Sequence, residues 1–92
     1  MCPIPLVEAE ARLRNLPGWK IEANELVKTF AFRDFRASLR FVNALGELAE
    51  EAGHHPDIDV RYNKVRLALT THDDGGLTEK DFSLASQADG IA

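Results

Sequence analysis

Residues 50–81 read EEAGHHPDIDVRYNKVRLALTTHDDGGLTEKD and hold all three histidines of the chain among a dense supply of carboxylates. Within this stretch Asp57-Ile58-Asp59-Val60-Arg61-Tyr62 and Lys64-Val65-Arg66-Leu67-Ala68-Leu69 alternate polar and apolar residues at the period of a half-buried strand. Asn63 stands between the two runs and tolerates the left-handed backbone of a tight turn, so they are expected to fold back antiparallel around residues 62–64. The register has a chemical consequence. A loop centred on position 63 sets His72 opposite His54; a centre between 63 and 64 sets it opposite His55. Directly opposed β-carbons lie within about 5 Å where a ladder extends that far. Either register predicts a histidine cluster at the open end of the hairpin.

Upstream, Phe35, Leu39, Val42, Leu45, Ala49 and Ala52 make one apolar stripe of a long helix, widened by Phe41 and Leu48. Asp34 is its expected N-cap, and Gly53 ends it because glycine takes the left-handed C′ position without steric cost. Pro56 then biases His55 toward an extended backbone. Further back, Leu6, Ala9, Leu13 and Leu16 recur at helical spacing, predicting a first helix over roughly residues 6–15 that Pro17-Gly18 stops. Trp19 to Glu22 alternates as a short strand, Ala23-Asn24 turns, and Glu25 to Phe32 is rich enough in β-branched and aromatic residues for a second strand, although its alternation is irregular. Downstream, Asp73-Asp74-Gly75-Gly76 is a loop. Thr78-Glu79-Lys80-Asp81 resembles a capping box opening a last helix to about Asp89, packed down by Leu77, Phe82, Leu84 and Ala85. The order α-β-β-α-β-β-α predicts an α+β two-layer fold, a four-stranded antiparallel sheet with helices on one face, as a single domain over residues 1–92.

Composition narrows the function. An apolar fraction of 45% and a charged fraction of 28% belong to an ordinary globular chain. With a net charge of −4 and scattered Lys and Arg, nucleic acid is not an expected direct ligand. Cys2 is the lone cysteine, so no intrachain disulfide is possible. No apolar run approaches the roughly 18 residues a membrane span needs, and no leader pattern opens the chain, so a cytoplasmic protein is expected.

The candidate site residues are His54, His55 and His72, with Glu50 and Asp81 as their carboxylate neighbours. Imidazoles titrate near neutral pH, where a general acid or base has to work. Asp81 is also the third helical residue of the capping motif, and Glu50 is also an ordinary last-turn helix residue; both alternatives stand at this point. Three histidines and a carboxylate could bind zinc, but adjacent histidines seldom aim at one ion and no His-x-x-x-His or Cys-x-x-Cys spacing occurs, so no metal is expected. Neither a Gly-x-Ser-x-Gly nucleophile turn nor a phosphate loop is present. Cofactor-free acid–base chemistry on a neutral or cationic small molecule, such as a dehydration, is what remains.

Glu50, His54-His55-Pro56, Tyr62-Asn63-Lys64-Val65, Thr71-His72 and Gly76-Leu77-Thr78-Glu79-Lys80-Asp81 together resemble the signature of the pterin-4a-carbinolamine dehydratases, in order and spacing. The similarity extends through Leu16-Pro17-Gly18-Trp19 and covers nearly the whole chain. The resemblance implies elimination of water from 4a-hydroxytetrahydrobiopterin to give the quinonoid dihydropterin, without a cofactor. By the same resemblance His54 and His72 would be the proton-transfer pair, His55 would bind and orient the pterin, and Glu50 and Asp81 would orient histidines or meet ring hydrogens. Ile58 stands where some members carry tryptophan, which bears on ligand packing. The family further implies a homodimer or homotetramer. It also includes coactivators and assembly factors, which supply the alternative of a non-catalytic interaction module.

Overall fold

The computed structural model of the chain describes residues 3–92, so Cys2 lies outside the described residues. Its elements are α1 (Leu6–Arg12), which tightens into a 3-10 turn over Leu13–Asn15, β1 (Lys20–Glu22), β2 (Glu25–Ala31), α2 (Phe35–Ala52), β3 (Asp57–Arg61), β4 (Lys64–Leu69), a second 3-10 turn over His72–Asp74, and α3 (Glu79–Ile91). The four strands form one antiparallel sheet in the order β1-β2-β4-β3. Each hairpin pairs with itself, and α2 carries the chain from β2 over to the edge strand β3, leaving the central slot for β4. Both α+β architecture and element order agree with expectation.

Parity along β4 sets the two faces. Val65, Leu67 and Leu69 are fully buried, and Phe30 and Leu26 of β2 stand directly opposite Val65 and Leu69 on the same side. Phe41, Leu45 and Ala49 of α2 and Phe82, Leu84, Ala85 and Ala88 of α3 close over that side. Each large apolar side chain so buried contributes about 1.5–3 kcal/mol relative to exposure. Asp34 caps α2 as expected, its carboxylate accepting from the Ala37 amide at 2.8 Å.

Two local expectations are corrected. The buried seam of α2 runs through Ser38, Phe41, Leu45 and Ala49, while Phe35 and Leu39 are 47% and 42% exposed. The cause is the aromatic cluster at the end of β2: Phe41 packs 4.7 Å from Phe30 and 5.0 Å from Phe32, and this rotates the helix so that Ser38 faces inward. Ser38 is accommodated by donating its hydroxyl to the Asp34 carbonyl at 3.2 Å.

The β3–β4 register also differs. Arg61 pairs with Lys64, so the loop is Tyr62-Asn63, and Tyr62 rather than Asn63 takes the positive φ of 53°. Asn63 is held elsewhere: its amide donates to the Phe32 carbonyl at 3.0 Å, and its own carbonyl accepts from the Phe32 amide at 2.7 Å. The ladder stops at Asp57 and Ala68, and extending its register would set His72 opposite Gly53 instead of either histidine.

The irregularity of β2 arises on both faces: Val27 is buried opposite Ala68 on the outer face, and a lysine takes an inward place. Lys28 occupies an inward position opposite Leu67, with its ammonium 2.9 Å from the Asp89 carboxylate and 4.7 Å from the Phe30 ring. Trp19 donates its indole N–H to the same carboxylate at 3.1 Å, so a lysine in a core position ties the end of α3 to the sheet. At the other end of α3, Arg12 donates to Glu79 at 2.7 Å. This hydrogen bond holds the Glu79 carboxyl below its ordinary value and raises the Arg12 guanidinium.

Candidate active site

The end of α2 aims His54. Gly53, at φ 63°, donates its amide to the Glu50 carbonyl at 3.2 Å, while the His54 amide reaches back to the Ala49 carbonyl at 3.1 Å. This pair of bonds is a Schellman motif, which satisfies the orphan carbonyls and turns the chain sharply out of the helix. His54 then points to the first turn of α3, where its side chain is only 10% exposed.

Its partner there is Asp81, which is fully buried. Oδ1 of Asp81 lies 2.5 Å from Nε2 of His54. Oδ2 accepts from the Thr78 amide at 2.9 Å and from the Thr71 hydroxyl at 2.9 Å, and the Thr71 and Thr78 hydroxyls are 2.8 Å apart. Asp81 is therefore both a capping residue of α3 and the partner of a histidine: the capping box forms, and its carboxylate has a second oxygen left for His54. No buried side-chain polar atom among the described residues lacks a hydrogen-bond partner. A buried carboxylate is tolerable only in such a shell.

His55 and Glu50 form a separate, exposed pair, with Nε2 of His55 against Oε2 of Glu50. His72 sits in the 3-10 turn after β4 and makes no hydrogen bond with another described side chain. That turn is clamped at its base, where Thr71 and Gly76 exchange backbone hydrogen bonds of 3.1 and 3.3 Å. The result is an open cleft of about 250 Å³ lined by His54, His55 and His72 together with Thr70, Thr71, Asp73 and Lys80. A second cleft of about 250 Å³ on the bare face of the sheet, between Lys20, Glu22 and Arg66, carries no histidine.

The fold thus gathers the three histidines by way of two chain ends, the C-terminus of α2 and the turn after β4, and not through the strand ladder. Glu50 and Asp81 stand behind His55 and His54 respectively and do not line the cleft. Ile58 is 38% exposed on the edge strand and also lies outside it. In the sequence Thr71 stands out only as a neighbour of His72 in the family signature, although its inward parity with Val65, Leu67 and Leu69 is a signal of its own, since a hydroxyl on an inward position needs a buried partner. Among the described residues no group of three His, Cys, Asp or Glu side chains is arranged to hold a metal ion. No helix among them is long and apolar enough to cross a membrane. A carboxylate-backed imidazole and a free imidazole facing one small space form an arrangement able to take a proton from one atom of a ligand and deliver one to another.

A model of the family described as pterin 4 alpha carbinolamine dehydratase matches residues 3–91. A protein of Chloroflexus aurantiacus, provisionally named pterin-4-alpha-carbinolamine dehydratase, is 59% identical over 88 residues, covering 94% of this chain and 95% of its own. One of the same provisional name from Acidobacterium capsulatum is 57% identical over 82 residues, covering 89% of each. Among solved structures, a transcriptional coactivator/pterin dehydratase from Brucella melitensis superposes with a TM-score of 0.94 at 32% identity, over 98% of each chain. A pterin dehydratase-like protein identified as a RuBisCO assembly factor in the alpha-carboxysome superposes with a TM-score of 0.70 at 29% identity, covering 82% of this chain and 89% of its own.

Proposed function

Because this chain belongs to the pterin 4 alpha carbinolamine dehydratase family, we propose that it is a cytoplasmic dehydratase that removes water from 4a-hydroxytetrahydrobiopterin. The C4a–O bond breaks and the hydroxyl leaves as water after accepting a proton from a general acid. A base takes the proton from the adjacent ring nitrogen, and the quinonoid dihydropterin remains. His54 and His72 are the proton-transfer pair, His55 orients the pterin, and Glu50 and Asp81 hold His55 and His54. The observation that carries this reading is the convergence of three histidines on one open cleft, one of them backed by a buried carboxylate. Imidazoles on two sides of a small planar ligand suit a reaction that needs one proton delivered and another removed near neutral pH. The test is the breakdown of a 4a-hydroxypterin followed with purified, folded protein. Acceleration over the spontaneous rate is expected, and its absence would end the enzymatic assignment.

A homodimer or homotetramer accompanies this function. Support comes from Phe35 and Leu39, which stay exposed on α2, and from the unpaired edges of β1 and β3. The similarity to a structure identified as an assembly factor favours one second reading, a non-catalytic interaction module on the same fold. A folded protein with no effect on 4a-hydroxypterin breakdown would leave that alternative standing.

A further inference from the structure

We propose that Thr71 is a positioning residue of this site, its hydroxyl completing the acceptor shell of Asp81 so that His54 carries its proton on Nε2 and presents Nδ1 to the ligand. The inference follows from counting hydrogens. Thr71 Oγ1 has one hydrogen and two oxygen neighbours, Asp81 Oδ2 at 2.9 Å and Thr78 Oγ1 at 2.8 Å. An ionised carboxylate only accepts, so the Thr71 hydrogen goes to Asp81 and the Thr78 hydrogen goes to Thr71. Thr78 Oγ1 in turn accepts from the Lys80 amide at 3.3 Å, and every donor in the chain has one acceptor. With the Thr78 amide also on Oδ2, that oxygen holds two donors and has no room for a proton of its own. Oδ1 is left for His54, and because an ionised carboxylate can only accept, the donor role at this 2.5 Å contact goes to Nε2. Its other nitrogen is the one free to exchange a proton with a ligand.

Thr71 acts on the second histidine as well. Its backbone forms the bridge to Gly76 that clamps the turn carrying His72, so one inward-facing residue, two positions past the end of β4, sets the ring of His54 and the loop of His72. Valine has nearly the shape of threonine but no hydroxyl, and serine keeps the hydroxyl. The experiment is nitrogen-15 NMR of the imidazole rings at about pH 8.5, above the ordinary histidine range, on the wild type, Thr71→Val and Thr71→Ser, with kcat and KM measured on the same preparations. In the wild type His54 should show the Nε2–H tautomer. Thr71→Val should move it toward a mixture of tautomers and lower kcat about tenfold, the worth of one hydrogen bond to a charged group, with little change in KM. Thr71→Ser should restore both.

The NMR arm stands even for a protein without dehydratase activity; only the kinetic arm rests on the proposed function. A wild-type His54 protonated on Nδ1 would overturn the proposal whether or not the valine variant folds. A folded Thr71→Val protein with unchanged His54 signals would overturn it equally. Loss of kcat in Thr71→Ser as large as in Thr71→Val would also overturn it, because a role in packing alone would then explain both.

Discussion

Replacing Asp81 by asparagine separates the two duties of this residue. The buried carboxylate receives hydrogen bonds from His54 Nε2, the Thr71 hydroxyl and the Thr78 amide. In Asp81→Asn the remaining oxygen can still serve Thr71 and Thr78, since both donate to Oδ2, and the cap of α3 survives. The new amide nitrogen takes the place of Oδ1 and faces His54 as a donor, which forces Nε2 to accept and drives the ring proton to Nδ1. The stability cost is the change from charge-assisted to neutral bonds, about 2 kcal/mol in all, a fall in Tm on the order of 10 °C for a chain of this size. The kinetic cost is larger in proportion, because His54 passes through its imidazolium form whether it gives or takes the proton, and that form loses the carboxylate that stabilises it. Turnover should fall on the order of 10²-fold or more. Asp81→Ala is the less informative change: it strands three buried donors and should cost about 3 kcal/mol or more. Initial rates of 4a-hydroxypterin breakdown and a thermal melt on one preparation decide the matter. Folded Asp81→Asn protein with wild-type turnover would refute any role of Asp81 through His54 and leave it as a cap alone.

Four further outcomes are expected. His54→Ala and His72→Ala line one cleft, so each should lower turnover by roughly 10²-fold, and the double variant should lose less than the product of the two; strictly multiplicative losses in folded proteins would assign them to independent sites. Activity should survive exhaustive chelation, since the proposed step needs only proton transfers, and a loss reversed by added zinc would contradict it. Sedimentation at micromolar concentration should show a dimer or tetramer through the exposed Phe35 and Leu39 or the sheet edges, and a monomer alone would count against self-association. Ala23→Gly should stabilise the fold by about 0.5–1 kcal/mol, because Ala23 holds a φ of 50° in the β1–β2 turn; an unchanged or lower Tm would show that the turn carries no strain.

The order of elements, both hairpins and the caps at Asp34, Gly53 and Thr78 were legible in the sequence because each depends on residues a few positions apart: alternation, helical spacing and a side chain that reaches its own backbone. The sequence names Glu50 only as a carboxylate neighbour of the histidines, and the structure selects His55 as its partner at the same helix end. What required the tertiary structure spans elements distant in sequence. The loop register was decided by Asn63 binding Phe32, a residue of the other hairpin's end, so no property of the 57–69 run could reveal it. The α2 seam was turned by Phe30 and Phe32, and Lys28 could face the core only because Asp89, at the far end of α3, meets it there. In the site, His54, Thr71 and Asp81 are each ordinary in isolation. Their meeting is fixed by the first turn of α3 packing against Thr71, just past β4, and against His54 at the end of α2, where Asp81 is shut off from water and its carboxylate takes its hydrogen bonds from these side chains and the Thr78 amide.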